Sequence, residues 1–417
     1  MKLATVKNEV QKYQYMEDTG VIDFTLATII SNRLKLENPV WAIIIGASSG
    51  GKSQILRPMS LTDPKFIHRV DDLTENTFLS GSAGADKSLL TREGGIGKHG
   101  MISISDLTVL MSKSGESRAT ILSQFRMLFD GEMIKHSGSQ AKPLKWKGYL
   151  GVVAGSTPSI YSIFEEVSDM GERFVYYRMR DFDPFKATKL ALNRKDFGQK
   201  LDDILSSFYR EYIEKLIVKY ADEDIPNLPD DIEDRIIRIA QFAEIVRTAI
   251  HKDWQGTQDR IPVSAYPMRV AQQLRGLARS MMLMAHNENG SYELSEDQLT
   301  IIEWVGYSLA NEEKRATLKL VASLDYDLGV SPQALGDEIG LNTSVSSLIL
   351  DSLTAVGILK KTGNGVHLRY TMKNEEYHKL VRRIQGIKET IEIEERDITD
   401  DEEESLEKSL EGQFNEF

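Results

Sequence analysis

Eight consecutive residues have the types and the spacing of a loop that holds phosphate groups. Residues 46–53 read Gly-Ala-Ser-Ser-Gly-Gly-Lys-Ser, which matches the pattern G-x-x-x-x-G-K-S. In such a loop the glycines let backbone N–H groups close around phosphates, the lysine reaches the β- and γ-phosphates, and the serine hydroxyl binds Mg²⁺. We therefore expect ATP and Mg²⁺ to bind through Gly46, Ser48, Ser49, Gly50, Gly51, Lys52 and Ser53.

The residues around this loop have the pattern of the strand and the helix that must present it. Trp41 to Ile45 is a continuous apolar run, which predicts a buried strand, and Gln54 to Leu56 opens a predicted helix. The amino end of that helix would add a partial positive charge beside the phosphates. The alternative is a Gly/Ser turn that happens to contain a lysine.

A candidate acid follows another apolar strand. Residues 101–105 predict that strand, and Asp106 comes directly after it. An acid at this place contacts Mg²⁺ through water, and a neighbouring acid usually activates the attacking water. Here Ser105 precedes Asp106 and Leu107 follows it. Either Asp106 is the metal acid and the base lies elsewhere, or Asp106 is the base and Ser105 replaces the metal acid. A helix cap is the third interpretation.

Two further strands carry polar residues suited to the same chemistry. The predicted strand 148–154 runs into small polar residues, where the Thr157 hydroxyl can orient water near the γ-phosphate; a plain strand-to-turn transition is the alternative. Arg173 opens the next strand and can act as an arginine finger in a neighbouring subunit, an effect of about 10³–10⁵ in rate. The alternative for Arg173 is a surface salt bridge.

Another candidate arginine lies in a long helical stretch. Residues 267–279 have helical periodicity, with Arg269 close to Gln272 and Gln273 and with apolar residues on the buried side. Arg269 can contact the γ-phosphate from this helix. An ordinary amphipathic helix is the alternative.

The composition changes along the chain in a way that predicts five parts. Residues 39–184 alternate strand-like and helical patterns, which is typical of an α/β core. Two predicted helices (1–38) precede it, a helical part (185–312) follows it, and residues 313–382 contain three helices and a two-stranded segment. Residues 383–417 form an acidic tail that we expect to be disordered. The predicted core strands are 40–45, 66–70, 101–105, 148–154 and 173–179.

The order of these features resembles that of AAA+ ATPases. It is most similar to the minichromosome-maintenance-type branch, and especially to the replicative helicases of phages and mobile genetic elements. The resemblance covers about residues 39–370 and implies an AAA+ P-loop core with a helical lid. The site residues that it implies are the finger Arg173, the first sensor Thr157 and the second sensor Arg269. The chain departs from that family because it has no Asp-Glu pair and no sensor asparagine.

A lysine-rich segment lies between the acid strand and the polar strand. Residues 130–147 predict a β-hairpin, with its turn near 137–141. It resembles the pre-sensor hairpin that enters the central pore of such rings, where lysines would follow a phosphate backbone. The alternative is an edge hairpin whose lysines discourage aggregation. The lysines proposed to contact nucleic acid are Lys135, Lys142, Lys145 and Lys147.

A second candidate for nucleic-acid contact lies in residues 313–372. Three helical segments and a two-stranded tail with a Gly-Asn-Gly turn resemble a winged helix-turn-helix. The third helix has no charge on its exposed face, whereas Lys360, Lys361 and Arg369 on the predicted wing suit phosphate contact. The alternative is a winged helix that mediates protein contacts.

Composition excludes several other classes of function. The 417 residues include no cysteine, which excludes disulfides and thiolate chemistry, and the seven histidines show no metal-ligand spacing. No apolar run approaches the roughly 18–20 residues of a membrane span, and the first residues lack a secretory signal, so we expect a cytoplasmic protein without membrane contact. Twelve acids and two bases in residues 391–417 account for most of the net charge of −12, so a nucleic-acid partner is compatible with the rest.

Together with these features, the resemblance implies an ATP-driven homo-oligomeric ring, expected to be a hexamer, that translocates on or unwinds single- or double-stranded DNA during replication of a phage or mobile element. One alternative is a non-translocating AAA+ switch, such as a helicase loader or transposition regulator, which the missing acid pair favours. Another is a DNA-bound transcriptional regulator. The acidic tail is expected either to increase solubility or to dock on a protein partner through Phe414 and Phe417.

Overall fold

Five apolar runs form one parallel sheet. The computed structural model, which describes residues 1–81, 87–136, 142–165, 173–248 and 262–391, orders them β2-β3-β6-β1-β7, with each neighbouring pair parallel. Most of their residues are buried, as expected for strands covered on both faces. The strands are β1 Trp41–Ile45, β2 Ile67–Arg69, β3 His99–Ile104, β6 Tyr149–Ser156 and β7 Val175–Arg178. The five predicted core strands are thus confirmed, as is the mixed α/β class of the core.

Two units divide the chain. The first comprises Met1–Ala243 and Tyr266–Leu309 and contains the parallel sheet. The second comprises Glu244–Ala265 and Ala310–Phe417. The domain boundaries given by the sequence patterns remain predictions. In the ranges that the structure describes, every helix is too short or too polar to cross a membrane.

One apolar helix lies against the sheet and connects it to the helical part of the first unit. This helix, α2 (Gly20–Leu34), contacts β1, β3 and β6 as well as two later helices. Its residues from Gly20 to Asn32 are all buried, because it is covered by the sheet on one side and by helices on the other. Its polar side chains return hydrogen bonds to the helix itself, as when the Thr25 and Thr28 hydroxyls donate to carbonyls one turn earlier.

The remaining helices of the first unit precede, connect and follow the strands. The segment before α2 includes a short helix, and a long helical stretch follows β7, as the sequence predicts. The helix α9 packs against α2, and α7 packs against α1, α2 and α3. These helices are α1 Leu3–Gln11, α3 Lys52–Ser60, α4 Gly115–Phe129, α5 Ile160–Glu165, α6 Pro184–Asn193, α7 Gly198–Tyr220, α8 Asp230–Arg247, α9 Met268–Asn289 and α10 Glu296–Tyr307; the last residues of α8 belong to the second unit.

An aromatic cluster fixes the amino ends of the central strands. The Trp41 ring at the start of β1 lies 5.1–5.6 Å, centroid to centroid, from the rings of Phe125, Phe129 and Phe174. All four side chains are buried, and such ring contacts each stabilise by about 0.5–1.5 kcal/mol beyond burial. The cluster therefore anchors the residue that precedes Phe174, which is Arg173.

The predicted hairpin between β3 and β6 is confirmed as a strand pair. Strands β4 (Glu132–Lys135) and β5 (Leu144–Lys147) are antiparallel, with Met133 opposite Trp146. The Trp146 side chain is buried and its indole N–H donates to the carbonyl of Gly97 at 2.6 Å. The predicted turn at 137–141 lies outside the described residues.

The second unit contains the three predicted helices and the two-stranded segment. Ser331 and Asn342 cap the second and third of these helices through their side-chain oxygens, and Pro332 occupies the first helical position after Ser331. The elements are α11 Glu312–Ser323, α12 Pro332–Ile339, α13 Thr343–Ala355, the antiparallel pair β8 Leu359–Thr362 and β9 Arg369–Met372, and α14 Glu375–Gln385. Residues 392–417, which include most of the predicted acidic tail, lie outside the described residues.

Candidate functional site

The parallel sheet brings three of the predicted site residues to one edge. The register pairs Ile45 at the end of β1 with Ser156 of β6, and Ile104 at the end of β3 with Ala154 of β6. The segments that carry Lys52, Asp106 and Thr157 therefore all leave the carboxyl edge of neighbouring strands. Ligands of open α/β sheets bind at this edge.

The loop 46–53 has a curled backbone tied to the sheet at its start. The Gly46 N–H donates to the Ser156 carbonyl at 3.1 Å, which ties the start of the loop to β6. Ser49 and Gly51 have positive φ values of 61° and 86°, so the chain curls back on itself before α3 begins at Lys52. The first N–H groups of α3 have no partner within that helix and face the loop as donors. The exposed residues of the loop include Ser48 and Ser49.

Lys52 lies folded over this loop. Its ammonium donates to the carbonyls of Gly46 at 2.8 Å and Ala47 at 2.6 Å, and the residue is only 8% exposed. Burial lowers the pKa of Lys52 below its ordinary value, and the negative charge of Asp106 opposes that shift. The two predicted site residues are thus close enough for their charges to interact, although they are 54 positions apart.

Asp106 acts as a cap and remains available to solvent. Its carboxylate accepts from the Thr108 N–H at 2.9 Å and from the Thr108 hydroxyl, at the start of a 3-10 helix over Leu107–Ser112. The capping interpretation is therefore correct for the local structure, but the exposed carboxylate retains further acceptor sites. Asp106 can hold a cap and face the loop at the same time.

Ser105, the residue before Asp106, hydrogen-bonds to a carboxylate that follows the outermost strand, β2. The Ser105 hydroxyl donates to Asp71, which follows β2, at 2.9 Å. Burial raises the pKa of Asp71, but hydrogen bonds from Arg69 and Ser105 outweigh burial, so the pKa lies below its ordinary value. A second ionised carboxylate thus lies next to the acid strand, although it is not adjacent to Asp106 in sequence.

The oxygen donors at this edge fit a hard divalent cation held together with phosphate. Magnesium prefers a few protein oxygens, phosphate oxygens and water over an all-protein cage. The Ser53 hydroxyl in the first turn of α3 and the exposed Asp106 carboxylate are such oxygens. Within the described ranges no three His, Asp or Glu side chains cluster as metal ligands.

The end of β6 presents two neighbouring hydroxyls. The Thr157 hydroxyl lies 2.7 Å from that of Ser159. The Ser156 hydroxyl is buried and has no hydrogen-bond partner among the residues that the structure describes. The predicted water-orienting position at Thr157 is therefore at the carboxyl edge, beside the start of the loop.

Arg173 lies at the amino end of the strands, opposite the carboxyl edge that carries the loop. Val175 of β7 pairs with Ala42 of β1, so Arg173 is level with the residue before β1. Because strands rise about 3.3 Å per residue, the backbone of Arg173 lies roughly 20 Å along the strands from Gly46. The side chain of Arg173 cannot span that distance, so it cannot complete the phosphate loop of its own chain.

Arg269 lies near Arg173 rather than near Lys52. Gln273, one turn further along α9, accepts from the Trp41 N–H at 2.8 Å and donates to the Arg173 carbonyl at 2.9 Å. Burial, followed by the positive charge of Arg269, lowers the pKa of Arg173, while Asp130 opposes the shift. The structure thus brings the two arginines together, and it does not bring either to the loop of the same chain.

The Arg173 guanidinium has a weak acidic partner. Its Nη2 lies 3.4 Å from Asp130, whose side chain is 56% exposed, while the side chain of Arg173 is 8% exposed. This long contact with a solvated carboxylate is one of the interactions that hold the guanidinium, which is itself buried. Arg269 is exposed on the first turn of α9.

The hairpin lysines fall into two groups. Lys142, Lys145 and Lys147 are exposed. The Lys135 ammonium instead donates to the carbonyls of Glu75 and Leu79 and to the Asn76 side chain, at 2.7–3.0 Å. Lys135 is therefore engaged within its own chain, and we expect phosphate contact from the exposed group.

Replacing Lys142 and Lys145 together with alanine is expected to weaken binding to single-stranded DNA in a salt-dependent way. Removing one lysine–phosphate ion pair should reduce the slope of log affinity against log salt by about 0.7. Fluorescence anisotropy at several salt concentrations measures this slope. Lys135→Ala serves as the comparison, because it should lower thermal stability and leave the slope unchanged. An unchanged slope in the double variant would remove the hairpin from the interface.

The basic residues of the second unit make contacts of their own. The Lys361 ammonium lies 3.1 Å from Asp351, and Lys360 lies 5.3 Å above the Tyr326 ring. An Arg369 Nη1–H donates to the Leu368 carbonyl at 2.9 Å. The exposed face of α13 includes Val345 (38% exposed) and Leu348 (46% exposed), together with the Asp351 carboxylate. This face is suited to contact with protein more than to reading bases.

One residue that contacts the loop, Gln14, was not indicated by any sequence pattern. Gln14, in the segment between α1 and α2, donates from Nε2 to the Gly51 carbonyl at 3.1 Å and is 5% exposed. The two residues are 37 positions apart, and Gln14 belongs to no motif. Only the fold shows that this segment lies over the loop.

No model of a known protein family matches the chain, and no curated protein matches it.

Proposed function

We propose that the chain is an AAA+ ATPase that hydrolyses ATP at sites shared between neighbouring copies of itself. The observation that carries this proposal is the separation of the two halves of the site. Lys52 and Asp106 lie at the carboxyl edge of the sheet, while Arg173 and Arg269 lie together at the amino edge. A phosphate-loop protein that needs cationic groups at the γ-phosphate would obtain them here from a second copy.

Each half of the proposed site has a distinct role. The loop N–H groups and Lys52 would hold the phosphates, and Ser53 with Asp106 would hold Mg²⁺, which offsets the phosphate charge when bound. Thr157 would orient the attacking water. The Arg173 and Arg269 of the neighbouring copy would stabilise the negative charge that develops on the transferred phosphoryl group.

The two faces favour a ring over a two-fold dimer. A contact between the carboxyl edge of one copy and the amino edge of the next joins different surfaces, and such contacts close into rings or continue as filaments. Exposed apolar side chains support an interface at both faces. Tyr266 and Met268, at the start of α9, are 83% and 66% exposed, and Phe185 and Leu192 of α6 are 74% and 78% exposed.

DNA is the proposed substrate of the motor. Three lysines of the β4–β5 hairpin are exposed, and the three helices and two strands of the second unit fit a winged helix-turn-helix. Lysines on a projecting hairpin follow a phosphate backbone without reading its sequence. We therefore propose translocation on, or unwinding of, DNA in the replication of a phage or mobile element.

A non-translocating ATP switch, such as a helicase loader or transposition regulator, is the second candidate. The observation that favours it is the absence of a second acid next to Asp106, together with the capping role that Asp106 already has. Slow hydrolysis would suit a switch better than a motor. The exposed Val345 and Leu348 side chains of α13 also fit a partner protein.

Strand displacement separates the two candidates. The full chain is incubated with a fluorescently labelled fork, Mg²⁺ and ATP, and release of the labelled strand is followed over time. A motor displaces the strand with ATP and fails to do so when Lys52 is replaced by alanine. A switch binds the fork in the presence of ATP and displaces nothing, which would exclude the motor.

A further inference from the structure

A buried acceptor beside the phosphate loop has no donor. The Gln14 Oε1 atom is buried and has no hydrogen-bond partner within the described part of the chain. The Gly51 carbonyl that contacts the amide can only accept, so Nε2 must face it and Oε1 must point away. Buried carbonyl oxygens are rarely left without a donor. The described residues therefore leave an acceptor here that a bound molecule could satisfy.

The position of Gln14 suits recognition of a group attached to the bound phosphates. A Cβ added at Gly51 would lie only 2.5 Å from Gln14 Nε2, so the amide packs directly against the loop backbone. The half-buried rings of Tyr13 and Tyr15 flank Gln14 in sequence, and the Tyr15 ring lies 6.4 Å from that of Phe182. Aromatic side chains beside a polar atom form the usual surroundings of a flat heterocycle.

A second buried atom next to the same segment, the Nε of Arg194, has no hydrogen-bond partner among the described residues. Arg194, at the end of α6, donates from Nη1 to the Tyr13 carbonyl at 3.5 Å. Its Nε atom is buried and unpaired among the described residues. Among the described residues, a donor atom and an acceptor atom beside residues 13–14 therefore both lack partners.

We propose that Gln14 selects the base of the nucleotide by accepting a hydrogen bond from the exocyclic amine of adenine. This inference rests on the proposed ATPase function and adds a base preference to it. Adenine carries an amine at its sixth position, whereas hypoxanthine and guanine carry a carbonyl there. A carbonyl would place one acceptor against another, and a site built to pair with a donor rejects the analogue that lacks it.

The test compares ATP with inosine triphosphate, which differs at that position of the base. Dissociation constants of both, with Mg²⁺, are measured by calorimetry for the full wild-type chain and for Gln14→Met, which keeps the volume and removes the amide. We expect ATP to bind about tenfold or more tightly than inosine triphosphate in the wild type, and this ratio to fall to near one in the variant.

A matched control lies in the same segment. Gln11 is exposed and its amide donates to the Met16 carbonyl at 2.8 Å without contacting the loop, so Gln11→Met should retain the wild-type ratio. Gln14→Asn keeps the amide but shortens its reach, so its ATP preference should fall to near one, as in Gln14→Met. If Gln14→Met does not fold, Gln14→Asn takes its place in the test. If the wild type shows no preference for ATP, or if the preference survives both Gln14 changes, the base-selection inference is overturned, but the proposed ATPase function is not. A wild type that binds neither nucleotide overturns the proposed ATPase function as well.

Discussion

Replacing Arg173 with alanine is expected to lower steady-state ATP hydrolysis by about 10³–10⁵-fold while ATP affinity stays within a few-fold of the wild type. The physical reason is that the guanidinium lies at the amino edge of the sheet, away from the loop that binds the nucleotide. It can contribute to the transition state in a neighbouring copy without contributing to phosphate binding in its own. A coupled-enzyme assay gives the rate, and calorimetry gives the affinity.

Two controls separate this role from a structural one. Asp130→Asn removes one acidic partner of Arg173 and leaves the guanidinium in place, so hydrolysis should remain within a few-fold of the wild type. Arg173→Lys keeps a positive charge but loses the planar fork, and its rate should lie between those of the wild type and the alanine variant. Wild-type hydrolysis by Arg173→Ala, in an assembled oligomer, would show that the arginine is a structural residue only.

Replacing Lys52 with alanine is expected to abolish measurable hydrolysis and to weaken ATP binding about 10- to 100-fold. The ammonium lies over the loop and already bonds two of its carbonyls, so it is placed to transfer these bonds to phosphate oxygens. Charge-assisted hydrogen bonds of this kind contribute about 1.5–3 kcal/mol each. The affinity is measured by titration with ATP and Mg²⁺, and the rate by phosphate release.

Lys65→Ala is the matched control for Lys52. Lys65 is an exposed lysine outside the loop, so its removal changes the net charge equally and should leave both affinity and rate unchanged. Thermal unfolding of both variants shows whether the effect of the Lys52 change is local. ATP binding of wild-type strength in a folded Lys52→Ala protein would contradict the assignment of the phosphate site.

The sheet and its carboxyl-edge residues were accessible from sequence because their signals are local. Strand-like, largely apolar patterns predicted all five core strands, and the residues that follow three of them, Gly46, Asp106 and Thr157, mark one edge once the strands are parallel. The caps of α12 and α13 are equally local, because the Ser331 and Asn342 side chains accept hydrogen bonds from residues three positions away.

Other parts of the site depend on contacts between distant segments. Nothing near Gln14 indicates that its amide reaches Gly51, and nothing near Lys135 indicates that its ammonium binds the 75–79 segment. The position of Arg269 beside Arg173 follows from how α9 packs against the start of β1 and β7. Periodicity specifies which face of a helix is apolar, but it does not specify which partner that face meets.

Mixing two inactive proteins tests the shared site most directly. Lys52→Ala retains the arginines and Arg173→Ala retains the phosphate loop, so a mixed oligomer contains interfaces at which both halves are intact. With equal amounts and random assembly, about a quarter of the interfaces are complete, and we predict that ATP hydrolysis returns to a comparable fraction of the wild-type rate. If the mixture stays as inactive as either protein alone, while wild-type protein put through the same mixing hydrolyses ATP and the two variants are shown to co-assemble, the site is not shared between copies.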